Sequence, residues 1–149
     1  MHSDCICRSG ESCFHESFVL AVRRGSGGME PSTSVDLCLY EPDGQLTVLS
    51  VLGFTSWKKV SDTDRVRGKH KTVKNQPIWI QKIVRQEHGL TLHAYPFSLI
   101  FFGEPIRLQH RQLTKVDPPR YWGESHALEY RRKYLALFDE ASKPSSGRS

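Results

Sequence analysis

The residues with the clearest chemical potential are the cations of segment 58–74, KKVSDTDRVRGKHKTVK. Lys58, Lys59, Arg65, Arg67, Lys69, Lys71 and Lys74 share it with only two carboxylates, Asp62 and Asp64. That surplus of five equals the net charge of the whole chain, +5 from 21 Lys and Arg against 16 Asp and Glu. The rest of the chain is therefore balanced. Clustered positive charge concentrates an attractive potential for polyanions, whereas dispersed charge mainly favours solubility. Trp57 and Trp79 flank the segment, where flat side chains could add base stacking to phosphate contact or could simply pack in a core. Arg107, His110, Arg111 and Lys115 make a second basic group, with Arg107 and Arg111 the better candidates for phosphate. No RNP or KH signature is present, so the expected contact is with the backbone of RNA or DNA, not with its sequence.

Cys5, Cys7, Cys13 and His15 form a ligand-rich cluster whose donor types suit zinc. The C-x-C spacing brings two thiolates less readily to one ion than C-x2-4-C does, and no second Cys/His pair follows at finger distance. An unstructured tail is the plainer reading. Cys38 reads as a small strand residue.

Pro118-Pro119-Arg120-Tyr121 matches PPxY, and so resembles the ligands of WW domains. Such motifs offer a preformed polyproline II turn to an aromatic groove, with the tyrosine as anchor. The competing structural reading is that the prolines end a strand region and Tyr121 packs on the core. In a small, basic, β-rich protein the motif is also similar to that of viral matrix proteins. That resemblance rests on four residues and general character. It implies membrane and nucleocapsid binding, recruitment of WW-domain partners through Pro118, Pro119 and Tyr121, and self-assembly. For a peripheral membrane protein the same cations would meet anionic headgroups, at about 1 kcal/mol per basic residue near the surface. A lipid-binding module of pleckstrin-homology type would also suit the order of elements, though no motif of it is present. A third reading is a protein-interaction adaptor working through PPRY.

Nothing argues for catalysis. The seven histidines, 2, 15, 70, 88, 93, 110 and 126, form no motif, although His93 and His110 fall on expected strands and could face one another. Glu41, Asp43, Glu87 and Glu104 all sit in turns. A general acid–base site needs a positioned carboxylate or His with an orienting partner. No nucleophile elbow, P-loop, zincin or Rossmann glycine pattern occurs. The chain reads as a non-enzymatic binding protein without a cofactor.

The elements that must carry these groups are mostly strands. Val35, Leu37 and Leu39 alternate with polar or smaller neighbours, the turn Glu41-Pro42-Asp43-Gly44 follows, and residues 46–52 run back as a hairpin. Residues 77–85 and 90–95 form a second hairpin around 86–89. Residues 97–102 are apolar on both faces, which suits a central strand. A further strand spans 106–113. Near the end Ala127, Tyr130, Tyr134, Leu137, Phe138 and Ala141 recur at helical spacing behind Ser125 as N-cap. The expected fold is α+β: one β-rich domain of about six mainly antiparallel strands with one C-terminal amphipathic helix.

At 149 residues the chain supports one domain. Residues 1–34 read as a flexible Cys-containing tail in which only 17–22 could form a short strand. Residues 35–141 read as the globular domain, and 142–149 as a disordered tail. Met29 follows a Gly-Ser run and is an alternative first residue, so a chain starting there is expected to fold. No apolar run approaches the roughly 20 residues of a membrane-spanning helix, and no signal h-region stands near Met1. Four cysteines do not form a disulfide framework, so cytosol or nucleus is the expected compartment.

Overall fold

The structure, a computed structural model, describes residues 5–6, 14–24, 34–61, 77–95, 97–120 and 124–142. Among the described residues eight strands form one antiparallel sheet: β1 (Phe18–Arg24), β2 (Ser34–Tyr40), β3 (Gln45–Leu52), β4 (Ser56–Ser61), β5 (Ile78–Gln86), β6 (Gly89–Tyr95), β7 (Phe97–Phe102) and β8 (Arg107–Lys115). They stand in the order β4-β7-β6-β5-β1-β2-β3-β8, and one helix, α1 (Glu124–Ser142), follows. The α+β class is as expected, but the sheet has eight strands where about six were expected.

The two additional strands differ in kind. β1 falls within the presumed tail, yet it lies in the middle of the sheet between β5 and β2. The domain therefore begins before residue 35. β4 is an edge strand whose sequence, SWKKVS, lacks an apolar stripe because its outer flank needs none.

The chain's connections bend this sheet. β3 and β4 stand seventh and first in the order, so a flat sheet would separate them by about 29 Å at roughly 4.8 Å per strand. Only Gly53, Phe54 and Thr55 join Leu52 to Ser56, a reach of about 14 Å. The link from β7 to β8, Phe102 to Arg107, spans about 18 Å against the same gap. Both links require the sheet to curl until its two edges approach. The links also touch: a Cβ on Gly53 (φ 90°) would lie 2.3 Å from the Pro105 carbonyl oxygen.

The curl encloses the main core. Inward-facing side chains of β2 and β3 (Leu37, Leu39, Leu49, Val51) share one buried cluster with Ile80, Leu92, Leu99 and Phe101 from the other half. Phe54 and Ile106 on the crossing links, and Ile6 and Phe14 before β1, complete it. A second cluster lies on the outer face, where α1 packs Ala127, Tyr134 and Phe138 over Phe18, Leu20, Cys38, Tyr40 and Val48. The expected helical stripe is largely borne out, except that Leu137 is exposed. The helix starts at Glu124, so Ser125 lies within it and not before it. Among the described residues no helix is long and apolar enough to cross a membrane.

Candidate polyanion-binding face

The basic segment is anchored by two strand ends. Ser61, the last residue of β4, pairs with Phe97, while Trp79 at the start of β5 pairs with Tyr95. The described chain therefore ends β4 at Ser61 and resumes at Pro77, just before β5. Of the segment's seven cations Lys58 and Lys59 are described; Arg65, Arg67, Lys69, Lys71 and Lys74 lie outside the described residues.

Lys58 and Lys59 occupy opposite faces, as strand periodicity requires. Lys58 lies on the outer face, its Nζ 5.8 Å from the centre of the Phe102 ring. Lys59 lies on the inner side at the edge, its Nζ 4.9 Å from the Phe97 ring. Cation–π contact of this kind holds an exposed lysine beside an aromatic surface. Trp57 also points to the inner side, stacked on Phe101 with ring centres 5.8 Å apart, and remains 37% exposed.

Register assigns the outer-facing side chains of the helix-free half. They are Ser56, Lys58 and Val60 on β4; Ser98, Ile100 and Phe102 on β7; and Thr91, His93 and Tyr95 on β6, beside Lys82 and Val84 on β5. None is a carboxylate. Of the six large hydrophobic side chains most exposed among the described residues, Val60, Tyr95 and Phe102 stand on this face, while Trp57 lies on the inner side. The sequence read 97–102 as a central strand covered on both sides. In fact β7 is next to the edge and its outer face is open, which is why Phe102 escaped notice.

The second basic group is on the opposite edge. Arg107 and Arg111 are exposed on β8, the other edge strand, paired with Leu52 and Val48. His110 faces the inner side, opposite Leu49, while His93 faces outward on β6. The two histidines do not face one another. His110 instead lies 3.4 Å from Glu41 Oε2, which also accepts a 2.8 Å hydrogen bond from the Thr47 hydroxyl, and its ring meets Phe14 edge-on. In the sequence Glu41 shows only as a turn carboxylate, because its pairing spans 69 residues and leaves no local signal.

PPRY is partly packed. Pro119 is buried, whereas Pro118 and Arg120 are exposed beside a cavity of about 380 Å³ against Tyr40, Tyr130 and Tyr134 of the helix layer. A WW groove takes up both prolines, and Pro119 is not presented here. Tyr121 lies outside the described residues. At the N-terminus Cys5 packs against the main core and His15 is exposed, while Cys7 and Cys13 lie outside the described residues. Among the described residues no three His, Cys, Asp or Glu side chains gather as a metal site.

Comparison of the chain with protein-family models, with curated proteins and with solved structures finds no match.

Proposed function

We propose that the protein is a non-enzymatic binding protein that holds nucleic acid, free or as nucleoprotein, through phosphate contacts of the basic segment and the strand that leads into it. One observation carries the reading: the segment with all of the chain's net positive charge begins on the edge strand of a sheet face that has lysines and aromatic rings and, among the described residues, no carboxylate. Like charge on a binding face repels a polyanion, and here that repulsion is missing. Lys58 sits where the segment begins and would continue its contacts onto the sheet.

The test is binding to single-stranded and duplex nucleic acid and to anionic vesicles, side by side, at several salt concentrations. About 4–6 phosphate contacts give a slope of log K against log salt of roughly −3 to −5. Reversal of Arg65, Arg67, Lys69 and Lys71 to Glu is expected to abolish nucleic-acid binding. Unchanged affinity in a variant that still melts cooperatively would sink the reading. Preference for vesicles over either nucleic acid would replace it with the peripheral membrane reading.

A further inference from the structure

Edge strands commonly carry lysines that block pairing with other chains, and this alone would account for Lys58 and Lys59. It does not account for the rings. Phe102 and Tyr95, each 40% exposed, are among the largest apolar groups left open, and both stand on the same outer face as Lys58. Water-exposed aromatic side chains on a sheet face, beside cations, are what single-stranded nucleic acids use as stacking surfaces.

We infer that the outer face of β4, β7 and β6 is a base-stacking platform for a single strand, with Phe102 and Tyr95 each receiving a base and Lys58 meeting a phosphate beside the base on Phe102. The inference rests on the polyanion reading and narrows it to one class of nucleic acid. Spacing fits. Phe102 is level with Gly89, six residues along β6 from Tyr95, so the rings stand about 20 Å apart. At about 3.4 Å per stacked nucleotide this is roughly six nucleotides, within the range of about 4–16 for single-strand sites on small β-barrels. The platform is also firmly held. The Phe102 carbonyl accepts from the Thr55 backbone N–H at 2.7 Å and from its hydroxyl at 3.1 Å. Lys58 Nζ already lies against the Phe102 ring, which puts a phosphate ligand next to a stacking surface.

The face suits a strand better than a bilayer. Membrane-binding surfaces bury a contiguous apolar side into the interface. Here Ser98 and His93, both half-buried, interrupt the apolar groups along the strands, while Thr91 is buried with its hydroxyl donating to Gln86. A duplex hides its bases, and the rings would gain nothing from it.

The probes are oligo(dT), an abasic strand of equal length, a hairpin duplex and phosphatidylserine vesicles, tested on the full chain. Wild type is expected to prefer oligo(dT) to the abasic strand. The double variant Tyr95→Ala/Phe102→Ala is expected to lose at least tenfold on oligo(dT) and to keep its affinity for the abasic strand and the duplex. The swap Tyr95→Phe/Phe102→Tyr is expected to retain wild-type binding, since both rings still stack. Equal loss on the abasic strand and oligo(dT) would overturn the platform and leave phosphate contact standing. So would wild type that binds duplex and abasic strand as tightly as oligo(dT). Loss confined to vesicles would assign the face to lipid. Absence of binding to every probe would remove the polyanion reading itself.

Discussion

The outer face of the sheet has two halves, and they treat aromatic side chains in opposite ways. Over β1, β2 and β3, rings meet rings: Tyr40 lies 5.0 Å from Tyr134 and 5.1 Å from Tyr130, and Phe18 lies 5.5 Å from Tyr130. The contacts are sealed by a hydrogen bond from the Tyr40 hydroxyl to the Asp117 carbonyl and by the Arg23–Asp139 ion pair at 2.5 Å. Over β7 and β6 the rings of Phe102 and Tyr95 stand open, and the former has a lysine for neighbour. The helix covers one half and is spent there. Apolar area on the covered half contributes stability at about 25 cal/mol per Å² removed from water, whereas the same area on the open half contributes only when something else covers it. The difference separates structural aromatic residues from those available to a partner.

The largest test of this division concerns the seam between the halves. β1 pairs with β2 along its length but with β5 through only Phe18↔Trp79 and Val19↔Ile78, supplemented by backbone bonds from Glu16 and to Ser17. Among the described strands it is the one through which the two halves pair within the sheet. Deleting residues 1–28, which the sequence suggested would be harmless, removes β1 together with Phe14 and Ile6 from the core. The expected outcome is loss of the cooperative melting transition followed by circular dichroism. A truncated chain that melts normally would show that the two halves close without it.

A direct contrast comes next. Phe138 is 1% exposed beneath the helix, so Phe138→Ala is expected to cost about 3–5 kcal/mol in urea titration. That is a large share of the roughly 5–15 kcal/mol of a whole domain. Phe102→Ala, on a ring 40% exposed, is expected to change stability by only about 0.5 kcal/mol. Comparable losses from both would mean that the open face is structural after all.

How much of this could be read from residues alone follows the same physics. Period-two alternation reveals a strand with one wet face, so β2, β3 and the β5–β6 hairpin were legible. Helical spacing likewise revealed Tyr134 and Phe138. β4 was not legible, because an edge strand with two lysines has the composition of a loop. β1 was visible as apolar residues, but its place depends on pairing with Trp79 and Ile78, about 60 residues away. The candidate face was half legible. The charge of 58–74 is a local property, whereas the exposure of Phe102 and Tyr95 depends on where the helix lies.

A pH series probes the covered half. Burial pushes the Cys38 thiol from the ordinary 9.0 up to about 11, with nearby Arg23 opposing the shift and Asp36 adding to it. The folded state thus keeps its proton where the unfolded chain has begun to lose its own. Stability is fully present below about pH 8 and falls as pH rises through about 9 to 11, by at most roughly 2–3 kcal/mol. Tyr40, raised chiefly by burial and further by Tyr134, acts in the same direction at higher pH. Cys38→Ala is expected to flatten the decline between about pH 8 and 10 and to leave the tyrosine part above it. Slopes are to be compared, not absolute values, because the smaller side chain also loses packing. Urea midpoints that fall equally steeply in both proteins would mean that the layer beneath the helix admits water to the thiol. The covered half would then be less closed than its ring contacts imply, and the contrast with the open face correspondingly weaker.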